Sequence, residues 1–195
     1  MLIPTDEEIR ALHEKYAPTR EAFDLVYTHC AIVCGIAEQL LGRTDLDADL
    51  VRAGCLLHDI GVYRLYDGGR LDHARYLRHG ILGHALLRSE GFAEVLCRFC
   101  SCHTGMGISR DDVREQGLPL PVADYLAESG EERLVMYADK FHSKTEPPTF
   151  VSATTYAAQV RRFGEDKAAA FLALREHFGT PDLTPFRAAY GHACA

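Results

Sequence analysis

Between residues 18 and 41, Val26, Val33, Ile36 and Leu40 recur at intervals of three, four and seven, and the run stops at Gly42. That period predicts a helix with one face in a core, because 3.6 residues complete a turn. His29 lies on the same stripe, so an imidazole is expected among buried apolar side chains. A second helix is predicted over residues 47–59 from Leu50, Val51, Cys55 and Leu57, with Gly61 as its C-terminal cap. His58 and Asp59 then stand at a helix end.

Residues 64–72, with Asp67-Gly68-Gly69, read as a loop, and helical patterning resumes over 79–88 and 94–102. Residues 104–130 carry Gly105, Gly107, Gly117, Pro119 and Pro121 and read as a long loop holding one short helix, capped by Ser109 with Asp112 three residues on. Loops of this length in compact domains are more often functional than accidental. Residues 131–142 are amphipathic, with Leu134, Val135, Ala138 and Phe141 near Asp139, before Pro147-Pro148 breaks the chain. Two or three further helices follow residue 152, without repeats and without residues that suggest chemistry. The elements add up to an all-α protein: one domain over residues 1–195, with a chemistry-bearing core over about 20–145 and a C-terminal helical extension over about 150–195.

A composition of 47% hydrophobic and 25% charged residues belongs to a globular protein. The net charge of -7 opposes binding to an extended polyanion, so a nucleic-acid polymer is not an expected partner. The first eight residues are acidic, and no apolar run reaches the roughly 18 residues that span a bilayer. A cytoplasmic protein without membrane contact is expected. The seven cysteines, at positions 30, 34, 55, 97, 100, 102 and 194, are odd in number and read as reduced, mostly buried thiols. Cys97-x-x-Cys100-x-Cys102 could hold a metal, but no second pair lies nearby, and Cys97 and Cys100 share a helix face suited to packing.

A lone His-Asp pair is weak evidence of chemistry. His58 and Asp59 gain weight because His29, His79, His103 and Asp139 each fall on or at the end of an apolar helix. Four imidazoles and two carboxylates can supply two transition-metal ions, with Asp59 as the natural bridge. His84 competes with His79 on one helix, but five residues turn the two about 140° apart. His79 is therefore the expected ligand, and His84 a substrate contact. No Gly-x-Ser-x-Gly or phosphate-cradling Gly-x-x-x-x-Gly-Lys motif is present.

With Thr28-His29, Leu56-Leu57-His58-Asp59-Ile60-Gly61, His79-Gly80, His103-Thr104-Gly105 and Ala138-Asp139-Lys140, the chain resembles the HD superfamily of metal-dependent phosphohydrolases. His79 and His103 make it similar to the binuclear branch. The resemblance implies a helical HD-domain bundle, two divalent or transition-metal ions, iron or manganese, and hydrolysis of a small phosphoester or phosphoanhydride, a nucleotide above all, by a hydroxide shared between the ions. Several HD families carry a lysine soon after the pair. Here the sequence reads Gly61-Val62-Tyr63-Arg64, so Arg64 and Lys140 are the expected phosphate contacts. The 104–130 loop is expected to close over the substrate. Two alternatives stand beside hydrolysis: a di-iron oxygenase of the same superfamily, and a nucleotide-binding sensor without turnover. A homodimer through the C-terminal helices would bury Phe163, Phe171, Leu172 or Phe178.

Overall fold

The computed structural model describes residues 2–42 and 44–195. It opens with α1 (Asp6–Tyr16), fixed at its start by a capping box in which the Thr5 side chain accepts from Glu8 N–H and Glu8 reaches back to Thr5 N–H. The Thr5-x-x-Glu8 signature was readable in the sequence, although no helix was expected there. Long α2 (Arg20–Leu41) and short α3 (Ala48–Leu57) pack together with α7 (Gly130–Asp139). α4 (His79–Ser89) lies against α5 (Glu94–Cys102) and against a 3-10 turn at Ile60–Leu65. Their apolar faces form one cluster running from Ile9 to Phe178.

Gly61 does not cap α3. It sits buried in the 3-10 turn, where an added Cβ would fall 2.0 Å from the His79 carbonyl oxygen. Gly80 does the same in the next layer, since its Cβ would meet Cys100 O at 2.7 Å. These two positions let the chain after Asp59, the start of α4 and the end of α5 approach at backbone distance.

The 64–72 loop is ordered as a small hairpin, β1 (Tyr66–Asp67) against β2 (Arg70–Leu71), turning on Gly68 and Gly69 with positive φ. A 3-10 turn at His73–Arg78 then leads into α4. The 104–130 segment contains the capped helix expected, α6 (Arg110–Glu115). It is no free lid, however: Ile108 and Tyr125 pair across it, and Lys167 Nζ ties it down at Gly107 O (3.0 Å) and Asp112 Oδ2 (2.7 Å).

α7 stops at Asp139, earlier than the amphipathic pattern suggested, and the chain turns into β3 (His142–Ser143). β4 (Thr149–Phe150), α8 (Ala153–Val160), α9 (Glu165–Phe178) and α10 (Thr184–Tyr190) follow. The last element, β5 (Ala193–Cys194), returns to pair in parallel with β4, making a three-stranded patch in an otherwise helical protein. Phe171 and Phe178 are buried inside this chain, which removes them from the suggested dimer face, whereas Phe163 and Leu172 are exposed. Six cysteines are buried, Cys194 is exposed, and all seven are unbonded, in line with the reduced-thiol expectation. Among the described residues, no helix is long and apolar enough to cross a membrane.

Candidate metal centre

Four helix ends and one helix face converge on a single point. His29 comes from the inner stripe of α2; His58 and Asp59 follow the last residue of α3; His79 opens α4; His103 closes α5; Asp139 is the last residue of α7. All but Asp139 are buried, and Asp139 keeps 15% of its side chain exposed. The cluster splits into two groups that share Asp59. Oδ2 of Asp59 lies 3.2 Å from His29 Nε2 and 3.4 Å from His58 Nε2. Asp139 Oδ1 closes that half at 3.0 Å from His29 Nε2 and 3.5 Å from His58 Nε2. Oδ1 of Asp59 faces the other half, 3.4 Å from His79 Nε2 and 3.6 Å from His103 Nε2.

Outer partners fix which nitrogen of each ring faces inward. Nδ1 donates to a main-chain carbonyl in three cases: His58 to Cys55 O (2.7 Å), His79 to Tyr76 O (2.7 Å) and His103 to Phe99 O (3.0 Å). A carbonyl oxygen can only accept, so in the neutral rings the proton is on Nδ1 and Nε2 is bare. Burial holds two of them neutral, pushing His79 down to about 3 and lowering His103 as well. The bare Nε2 atoms of His79 and His103 therefore face each other at 2.9 Å beside a carboxylate oxygen, with no proton to share. Asp59 Oδ1 is buried without a hydrogen-bond partner. Such a set of converging lone pairs is unfavourable alone and becomes favourable around a cation.

The other half also draws positive charge. Burial opposes protonation of His58, yet the neighbouring Cys30 thiol and the Asp59 and Asp139 carboxylates raise its pKa well above the ordinary value. For Asp59 burial pushes up, and Lys144 and His58 outweigh it, holding the carboxyl well below its usual range. The residues present thus fit a divalent-metal site in both halves.

Three expected contacts lie elsewhere than anticipated. Arg64 is exposed and stacks over the Tyr16 ring at 5.0 Å, on α1, away from the cluster. His84 bonds Ser101 Oγ at 3.1 Å and approaches Glu94 at 3.4 Å, between α4 and α5. Lys140 is at the centre but buried, donating to Asp139 Oδ2 (2.6 Å) and His103 O (2.8 Å). It fastens one carboxylate to the opposite half of the centre instead of standing open to a phosphate.

The cation that sequence reasoning missed is Lys144, whose Nζ donates to Asp59 Oδ2 and stands 5.4 Å from the Tyr76 ring centre. It lines a cleft of about 1010 Å³ together with Thr28, His29, Tyr66, Arg70 and His142. No motif marks Lys144, because it reaches the cluster only through the turn after α7. A second cavity of about 270 Å³, mostly apolar, lies between Leu77, Met106, Ile108, Val160 and Phe163.

Residues 26–144, which hold all six clustered residues, match the HD domain family. The chain belongs to the HD-domain family. The chain is 34% identical over 125 residues to the tRNA (cytidine(56)-2'-O)-methyltransferase of Picrophilus torridus, covering 64% of this chain and 33% of that protein. It is 38% identical over 69 residues to YueE of Bacillus subtilis, provisionally named a phosphohydrolase, covering 35% of this chain and 38% of that one. The chain thus spans about a third of the length of these curated relatives. In fold it is similar to the HD domain of the phosphodiesterase PgpH of L. monocytogenes, with a TM-score of 0.57 at 14% identity, covering 95% of this chain and all of that one. A structure of the same PgpH domain in complex with cyclic-di-AMP gives a TM-score of 0.55 at 16% identity, covering 94% and 97%.

Proposed function

We propose that this HD domain is a binuclear metal-dependent phosphohydrolase acting on a small phosphate compound, a nucleotide in the first instance. The observation that carries the reading is Asp59, whose two oxygens face two separate groups of donors, one of them a pair of bare imidazole nitrogens. Two divalent cations, iron or manganese by their preference for mixed imidazole and carboxylate donors, would supply Lewis acidity and a water of lowered pKa. His29, His58 and Asp139 would hold one, His79 and His103 the other, and Asp59 both.

The chain's own residues do the rest. The cleft opens beside His29 and is lined by the cations Lys144 and Arg70 and by the carboxylates Glu21, Asp24 and Glu146. Lys144, paired with Asp59, is the cation next to the cluster that a phosphate would meet. Lys144 hydrogen-bonds a carboxylate of the centre and is placed to bond non-reacting phosphate oxygens beside it. Lys140 holds Asp139 in place and keeps its lone pair directed at the cluster. The cleft has the volume of a nucleotide site, with Tyr66 as an aromatic wall. PgpH, similar in fold, has been seen in complex with a cyclic dinucleotide, which supports the same substrate class.

The test is elemental analysis of anaerobically purified protein together with a phosphate-release screen over nucleotides and sugar phosphates with iron or manganese. Two ions per chain with release is the expected result. Two irons with oxygen consumption and no release would replace hydrolysis by oxygenase chemistry, and a metal-free protein that binds nucleotides without turnover would make it a sensor.

A further inference from the structure

The C-terminal tail reaches the histidine cluster. Pairing of β5 with β4 sets Cys194 beside Phe150 and brings His192 back over β3. The His192 ring stacks on His142, with centres 5.2 Å apart and planes at 20°, and its Nδ1 is 3.0 Å from His142 Nε2. His142 in turn stacks on His29 at 5.2 Å and 26°, with Nδ1 to Nδ1 at 2.9 Å. Three imidazoles therefore run in single file from α2 to the tail, and His192 opens on the cleft.

The file has a direction. If His29 offers Nε2 to a cation, its proton is on Nδ1 and must be donated to His142 Nδ1, which is then bare. A neutral His142 carries its proton on Nε2 and donates it to His192 Nδ1. The remaining three histidines of the centre lean on carbonyl oxygens, which cannot change role. His142 can donate or accept from either nitrogen, so its role has to be set from its other side.

We propose that His192 is a positioning residue for the metal centre: by accepting from His142 it fixes the bare Nδ1 of His142 toward His29 and so holds the lone pair of His29 Nε2 on the inner side. The ring order and its metal consequence both rest on the binuclear reading above, since the order follows from His29 offering Nε2 to a cation. Burial supports the file, since His142 is 4% exposed and its two ring nitrogens face only the neighbouring imidazoles. The tail, in which the sequence showed no chemistry, thereby joins the centre.

Two substitutions separate this role from packing. His192→Phe keeps a ring against His142 and Phe150 but has no acceptor; His192→Asn puts an acceptor oxygen where Nδ1 stands and loses the ring. The first readout is the tautomer of His142 by nitrogen-15 NMR of labelled histidine in protein loaded with diamagnetic Zn²⁺, because without an ion the carboxylates of Asp139 and Asp59 compete for the His29 proton at Nε2. The wild type and His192→Asn should show one form, protonated on Nε2, and His192→Phe a mixture. The second is calorimetric titration with Mn²⁺: His192→Phe should lose about tenfold in affinity at one of two sites, with the other unchanged, and His192→Asn should stay within about threefold of wild type. A single unchanged His142 tautomer in His192→Phe overturns the proposal, as does a loss in His192→Asn as large as in His192→Phe, or an equal loss at both sites. A wild type that takes up no Mn²⁺ would overturn the binuclear reading and the ring order that depends on it, whereas Mn²⁺ uptake at two sites with an unchanged His142 tautomer in His192→Phe would overturn the role of His192 alone.

Discussion

The two halves of the centre are supported in different ways. His79 and His103 are aligned by carbonyls three and four residues earlier in their own chain segments, Tyr76 and Phe99. Their orientation follows from local structure once Gly80 has let α4 approach α5. His29, by contrast, leans on His142, which is 113 residues away, and Asp139 leans on Lys140, whose second bond is to the carbonyl of His103. The first half is held by short-range geometry; the second shares that only at His58, which leans on Cys55 O, and otherwise depends on tertiary contacts that can be broken far from the centre. Asp59 joins them.

Removing the shared residue should have the largest effect. Asp59→Ala is expected to lose both ions by elemental analysis and to lower phosphate release on the order of a thousandfold, since charge stabilisation at the reacting centre goes with them. Retention of two ions and full release would sink the shared-carboxylate reading. The two halves are told apart by His103→Ala and His58→Ala. His103→Ala should leave roughly one ion per chain, because its half is stripped to one histidine and a carboxylate and falls short of the three protein ligands usual for catalytic sites. His58→Ala keeps His29, Asp59 and Asp139 and should hold both ions, with weakened affinity at one site.

Lys144→Met probes the cleft without touching the donor set. Metal content should be unchanged while kcat/KM for the phosphate substrate falls by about 10- to 100-fold through loss of a charge-assisted contact; a matched fall in bound metal would instead make Lys144 a structural partner of Asp59. Lys140→Met should weaken only the half that contains Asp139, by about tenfold in metal affinity, read as one shifted and one unshifted site in a calorimetric titration.

The smallest effect on the centre comes from His13. This buried ring bonds Tyr63 Oη (2.9 Å) and Leu56 O (2.8 Å), and burial pushes its pKa down to about 4 from an ordinary 6.5. Between those values the unfolded chain binds the proton and the folded one does not, so stability is highest above pH 6.5 and falls as the pH drops toward 4. His13 should account for about 3 kcal/mol of the loss, read as the difference between wild type and His13→Gln in urea unfolding of metal-free protein, where His79 and His103 add in the same direction. His13→Gln should make that slope shallower by this share while leaving metal binding at neutral pH unchanged; an equally steep slope in the variant would assign the pH dependence to the other groups.

Much of this was legible in the chain. The six clustered residues announced themselves because each is a metal-type side chain at an apolar helix or its end, and hydrophobic periodicity does not depend on long-range contacts. α2, α4, α5 and α6 formed where period and capping residues placed them. Gly61 read as a cap because spacing alone cannot tell a helix stop from a close approach to α4. Arg64 read as a phosphate contact for its position after the pair, but the 3-10 turn points it outward onto Tyr16. Lys140 was noticed for its place beside Asp139 and its burial was not foreseen, since a lysine is ordinarily exposed.

What the sequence determined by itself was the helical class, the family and the six residues that cluster, because these depend on residue type and on spacing within a turn or two. What only the tertiary structure decided was the partner of each donor. Lys144, His142 and His192 come to the cluster through the turn after α7 and the return of β5 to β4, and hydrogen bonds between segments 50 to 113 residues apart leave no periodic trace in a single chain.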